Sequence, residues 1–185
     1  MLLKLFQKDT KTIAQELLGM YLIHDSPEGK TIGKIVETEA YLHNDPASHS
    51  FSGKTQRNAP MFGKPGTVYV YFTYGMHYCF NIVTAPENIG EAVLIRALEP
   101  LEGIELMKKR RNKEDVHILC NGPAKLVQAM GIQKAHNGIP LSHAPLYLSS
   151  RKEKTDVLSS PRICIQKAMD KKLRFFIRNN PFVSR

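Results

Sequence analysis

The chain has 185 residues, 42% of them hydrophobic, and its 26 Lys and Arg outnumber 17 Asp and Glu to leave a formal net charge of +9. That length suits a single well-buried domain, and no apolar run approaches the roughly 20 residues that span a bilayer, so a soluble, unexported, cytoplasmic protein without membrane contact is expected. The positive surplus favours a polyanionic partner, nucleic acid above all, because neutralised phosphates release counterions.

The first predicted element is a helix from about Thr10 to Leu18, capped by Asp9 or Thr12 and stopped at Gly19. A strand from Met20 to His24, a turn over Asp25–Gly29 and a return strand from Thr31 to Tyr41 follow. Side chains two apart on a strand share a face, which would align Ile35, Glu37, Glu39 and Tyr41. Two carboxylates beside an aromatic admit two readings. Either they decorate the solvated face of an edge strand, or one of them is held where an aromatic wall meets a cleft, ready to take a proton. From Leu42 to Gly66 the periodicity stops in favour of Gly, Pro and Asn, and the stretch holds His43, His49, Arg57 and Lys64. A loop this long in a compact domain suggests a binding role.

Thr67–Thr73 and His77–Thr84 alternate as strands around Tyr74-Gly75-Met76. This leaves Tyr74 at a turn with no place in a core. Ala92–Leu98 is an apolar strand interrupted by Arg96; a guanidinium there is costly unless a carboxylate or phosphate pairs with it, and Glu37 or Glu39 is the natural candidate. Beyond Pro100 a helix carries Ile104, Leu106 and Met107 into the basic run Lys108–Arg111, a second helix starts at Asn121-Gly122-Pro123 with Asn as cap, and Arg162–Ile165 and Leu173–Arg178 read as late strands. A weak strand is expected at Leu146–Leu148.

His43, His49, His77 and Cys79 have the atom types of a zinc site, but no familiar spacing. Cys79, Cys120 and Cys164 are widely spread and fit a reducing compartment. No local signature marks a Cys-His or Ser-His-Asp nucleophile. The remaining inventory of carboxylates, Arg, Tyr and His on a basic chain suits hydrolysis of a bond in nucleic acid by an activated water. Two rivals stay open: a non-catalytic module that stacks bases on its tyrosines, and a hydrolase of free nucleosides, which would leave the basic charge unused.

Six segments in order carry a resemblance: Ile35–Tyr41 (IVETEAY), Arg57-Asn58 leading into Met61-Phe62 and Lys64–Tyr71 (KPGTVYVY), Tyr74-Gly75-Met76, Leu94–Gly103 (LIRALEPLEG), Leu119–Pro123 (LCNGP) and Arg174–Arg178 (RFFIR). Together they resemble the alkyladenine (3-methyladenine, N-methylpurine) DNA glycosylase family over nearly the whole chain. The resemblance implies an α+β fold: one domain over residues 1–185, with a curved antiparallel sheet, surrounding helices and a protruding β-hairpin. It implies hydrolysis of damaged purines from double-stranded DNA by a monomer, without metal or cofactor and without a Schiff base, in the cytoplasm and on the nucleoid if the cell is bacterial.

Residue by residue, Glu39 matches the general base and Arg96 the side chain that holds the water. Tyr41, His49 and Tyr71 match the enclosure of the flipped base, and Asn81 matches the group that helps exclude guanine. The Ile163 carbonyl matches a further water ligand, and Tyr74 the wedge that fills the vacated stack. Ser48, His77 and Cys164 depart from the family's pattern, and the interval from Tyr41 to His49 is shorter than in mammalian members, which bears on lesion range. Glu37 is given a supporting role without a stated partner.

Overall fold

The computed structural model describes residues 2–73, 75 and 77–184, without the side chains of residues 2, 3 and 150–152. Two helices open the chain, α1 (Leu2–Leu5) and α2 (Thr10–Glu16). Asp9 caps α2 by accepting the Thr12 amide at 3.0 Å, satisfying one of the orphan donors of a first turn. Gly19 then turns the chain with φ +84°, where a Cβ would lie 2.6 Å from the Glu153 carbonyl; only glycine fits there.

Strands β1 (Met20–Ser26) and β2 (Gly29–Tyr41) form the expected hairpin, closed at Ser26 opposite Gly29. β3 (Val68–Thr73), β4 (His77–Val83) and β5 (Ala92–Glu102) follow. Next come α3 (Ile104–Arg111), α4 (Pro123–Met130) and four further strands, β6 (Ser142–His143), β7 (Leu146–Lys152), β8 (Val157–Ser160) and β9 (Arg174–Ile177). The sheet runs β3-β4-β5-β2-β1-β7-β6, and β9 joins β2 with β8 beyond it. All its pairings are antiparallel. This is the α+β architecture that was expected, a curled sheet with helices against it. The β3–β4 hairpin is buried at Val68 and reaches 44% exposure at Phe72, so its outer end is open to solvent.

One face of the sheet meets α2 through Ile13 and Ala14, the turn after it through Leu17 and Leu18, and α4 through Leu126, Val127, Ala129 and Met130 in a continuous core. Thr38 seals this contact by donating its hydroxyl to the Ala14 carbonyl at 2.8 Å. No helix among the described residues is long and apolar enough to cross a membrane.

The structure decides one open reading and corrects three expectations. The Glu-bearing strand is not an edge: Glu37, Thr38 and Glu39 have β5 on one side and β9 on the other. Ile35 does not share their face, because the β2–β5 register slips between Ile35 and Glu37 and again between Glu37 and Thr38, a bulge that rotates Ile35 into the main core. Residues 162–165 form no strand. The Ile163 amide bonds a side chain rather than a ladder, and the Arg162 guanidinium is drawn to Asp45 and the Ala40 carbonyl. Finally, Gly122 rather than Asn121 occupies the cap of α4; the Asn121 side chain instead accepts from Lys125 Nζ at 2.8 Å. The weak strand at Leu146–Leu148 extends to Lys152, and Tyr74 and Met76 lie outside the described residues.

Candidate active site

Against the face of the sheet opposite α2 lies a cavity of about 530 Å³, a size that accommodates a purine. Alternation along β3 sends Val68 and Val70 to the core and Tyr69, Tyr71 and Thr73 to this cavity. On β4, Phe80 and Ile82 point to the core while Cys79 and Asn81 line the cavity, and on β5 Val93 and Ile95 face the core while Leu94 and Arg96 face the cavity. Tyr41 at the end of β2, residues of the long loop that include His49, and the segment from Ile163 to Lys167 add to the wall.

The long loop is irregular apart from a 3-10 turn at Ala59–Phe62, yet it is tied down. Asn58 donates to the His49 carbonyl at 2.8 Å and to the Gly53 carbonyl at 3.0 Å. His49 is thereby set against β3, its Nδ1 3.0 Å from the Tyr69 hydroxyl and its ring 4.4 Å from that of Tyr71 at an interplanar angle of 73°. Tyr69 and Tyr71 lie 5.4 Å apart. Burial, with a smaller push from the Arg57 charge, holds the His49 imidazole below its usual pKa, so the ring is neutral at pH 7. Burial lifts the Tyr69 phenol to about 12 and raises those of Tyr41 and Tyr71 as well. These rings are uncharged, apolar surfaces. Asn81, buried, donates to the Tyr69 carbonyl at 3.0 Å, which sets the orientation of its amide.

Behind this wall lies Glu39, fully buried. One oxygen accepts the Ile163 amide at 2.9 Å and the other accepts the Tyr41 hydroxyl at 2.9 Å. Arg96 Nη1 stands 3.7 Å from the first oxygen, close enough for charge attraction but too long for a direct hydrogen bond. Tyr41 is clamped in turn, with the Arg162 guanidinium 4.6 Å over its ring. Arg162 also donates to the Ala40 carbonyl at 3.1 Å and pairs with Asp45, and both partners of that pair are fully buried.

Such a carboxylate has one hydrogen bond on each oxygen and lone pairs to spare. It can accept a proton from a water placed between it and Arg96. Among the described residues no group of three or more His, Cys, Asp or Glu side chains could hold a metal ion; His43 Nδ1 is bound to Glu91 at 2.5 Å.

Residues 4–181 match the family model described as Methylpurine-DNA glycosylase. The chain belongs to the methylpurine-DNA glycosylase family. Relatives in this family whose names include the words 3-methyladenine DNA glycosylase extend over essentially the same length. A protein of Francisella tularensis subsp. tularensis is 52% identical over 182 residues, 95% of this chain and 94% of the relative. One of Rhodopseudomonas palustris (strain HaA2) is 46% identical over 181 residues, 98% and 88% respectively, and one of Methanoculleus marisnigri is 46% identical over 185 residues, 97% and 96%.

Of the glycosylase residues expected from the sequence, the fold brings Tyr41, His49, Tyr71, Asn81, Arg96 and Ile163 to one cavity with Glu39 directly behind it. Tyr74 is outside the described residues. Sequence reasoning overlooked Asp45, the partner role of Arg162, and Ser184, whose amide and hydroxyl both donate to the Glu37 carboxylate. Asp45 carries no signal in a loop where acidic residues are ordinarily solvated, whereas Arg174, which donates to Glu37 at 2.6 Å, opens an apolar strand and could have been suspected of a carboxylate partner.

Proposed function

We propose that the protein is a monofunctional DNA glycosylase that extrudes an alkylated or deaminated purine from duplex DNA and hydrolyses its N-glycosidic bond, initiating base excision repair as a monomer. The observation that carries this reading is the Glu39 carboxylate, buried behind an aromatic cavity and oriented by Tyr41 and the Ile163 amide with Arg96 3.7 Å away. An extruded base enters the cavity between neutral rings, with Tyr41, His49 and Tyr71 as its walls. Water bound by Glu39 and Arg96 attacks the anomeric carbon. Its proton passes to Glu39, the carbon–nitrogen bond breaks, and the electron pair leaves with the purine.

A ring-alkylated purine is cationic and departs neutral, so the protein's main tasks are to supply the nucleophile and to stabilise positive charge developing on the sugar. The Glu39 carboxylate serves both. Asn81 discriminates against guanine, and the basic surface holds the phosphates of the duplex.

The decisive experiment incubates the protein with duplex DNA containing 3-methyladenine or hypoxanthine and scores alkali-labile abasic sites. General-base assistance is worth roughly 100- to 10,000-fold, so Glu39→Gln should lose most excision and retain lesion binding. Wild-type rates from that variant would refute the assignment, and activity on free nucleosides alone would refute the DNA substrate. Borohydride added during turnover should trap no protein–DNA adduct, since a water and not an amine is the nucleophile.

A further inference from the structure

Glu37 is as deeply buried as Glu39 but has a different set of partners. Its Oε1 accepts from Arg174 Nε at 2.6 Å and from the Ser184 hydroxyl at 2.9 Å, and its Oε2 accepts the Ser184 amide at 2.7 Å. Arg96 Nε lies 3.2 Å from the same Oε1 and donates to the Ser184 hydroxyl at 3.1 Å. The guanidinium of Arg96 is therefore closer to Glu37 than to Glu39, and its Nε is committed to a serine that is itself fixed by Glu37. Arg174 adds a bond to the Ser184 carbonyl at 3.3 Å.

Resting on the proposed role of Glu39, we infer that Glu37 is a positioning residue, and that with Ser184 it keeps the Arg96 guanidinium from closing onto Glu39. A bidentate Arg–carboxylate pair is the favoured geometry of two such groups at close range. Were it to form here, both oxygens of Glu39 would be occupied and its basicity lowered. Glu37 and Ser184 oppose that collapse by holding Nε from behind, so that Nη1 and the Glu39 oxygen, 3.7 Å apart, can both reach one water placed beside them.

The groups around Glu39 are Arg96 from β5, Tyr41 from its own strand, the Ile163 amide from the loop after β8, Cys79 from β4 and, one step removed, Arg162 through Tyr41 and Arg174 of β9 through Glu37. His49 is bonded to Tyr69 and touches this set only through its contact with the Tyr71 ring.

The test measures single-turnover release of 7-methylguanine from duplex DNA across pH for the wild type, Glu37→Gln, Ser184→Ala, Ser184→Thr and Glu39→Gln. Melting temperature and affinity for a duplex with an uncleavable abasic analogue are measured alongside. Ser184→Ala should lower the plateau rate about tenfold, the scale of one hydrogen bond to a charged group, with affinity within about twofold, and Ser184→Thr should restore it. In Glu37→Gln the acid limb should move to lower pH while the plateau falls, because an uncompensated Arg96 stabilises the ionised form of Glu39. An unmoved acid limb, or a rate that falls only in step with melting temperature and affinity, overturns the positioning role. Glu39→Gln separates the two failures. If it is inactive while the Glu37 and Ser184 variants behave as wild type, only this inference falls; if it is active, the general-base reading falls.

Discussion

Asp45→Ala removes one partner of a pair that has no access to water. The Arg162 guanidinium would keep its bond to the Ala40 carbonyl at 3.1 Å and its stacking on Tyr41, but its charge would be uncompensated, and its Nε and Nη2 already lack hydrogen-bond acceptors among the described residues. Breaking such a pair from one side typically costs about 3–5 kcal/mol. A chain of this size shifts its melting temperature by about 2–4 °C per kcal/mol, so the variant should melt roughly 6–20 °C below wild type by circular dichroism or calorimetry. The matched change Asp45→Leu with Arg162→Met removes both charges and should recover most of that stability. Excision should stay impaired in the double variant, since the tie that holds Tyr41 and the Ile163 segment together is gone. A single variant within about 1 kcal/mol of wild type, the worth of an exposed pair, would refute the argument that this pair is an internal strut.

Three further outcomes are expected. Tyr74→Ser should weaken binding to a lesion in duplex DNA more than it changes excision from single strands, because unstacking costs a few kcal/mol; equal losses on both substrates would remove the wedge role. Asn81→Ser should raise release of undamaged guanine relative to the alkylated purine by about tenfold or more, the scale on which a single pocket group discriminates, and an unchanged ratio would exclude it as the selective group. Stability should decline on acidification below pH 6.5. Burial holds both His24 and His49 below the usual imidazole value of 6.5, so the unfolded chain binds more protons in that range. The stabilisation is complete above 6.5 and is lost as pH falls through the folded values. Denaturant midpoints at pH 7.5 and 5.5 measure it, and the difference should shrink when His24, whose Nδ1 lies 2.6 Å from the Met130 carbonyl, is replaced by Gln.

Most of the strands were legible because their signal is local. The alternation of Val68, Val70 and Phe72 with Tyr69, Tyr71 and Thr73 needs no tertiary information, and neither do the Asp9 cap and the Gly19 stop of α2. Arg96 was legible as an anomaly: a guanidinium in an apolar strand must have a partner, and it has Glu37 and Glu39. Residues 162–165 misled, since an apolar run there reads as a strand while the Ile163 amide is in fact taken by Glu39. The bulge in β2 also escaped, because period-two reasoning assumes a regular ladder and nothing in Ile35–Tyr41 announces a slipped register.

The IVETEAY stretch marks the boundary between the two kinds of information. From its sequence alone came two carboxylates and a tyrosine on one strand and, through the order of six motifs, a family for the whole chain. The resemblance singles out Glu39, but the surroundings that make the two carboxylates different come mostly from groups far along the chain: Glu37 meets Arg174 and Ser184, while Glu39 meets the Ile163 amide and the edge of Arg96 besides its near neighbour Tyr41. The physical reason is that a buried carboxylate takes its character from the donors around its oxygens. Those donors lie up to 147 residues away in sequence, where no local pattern records them.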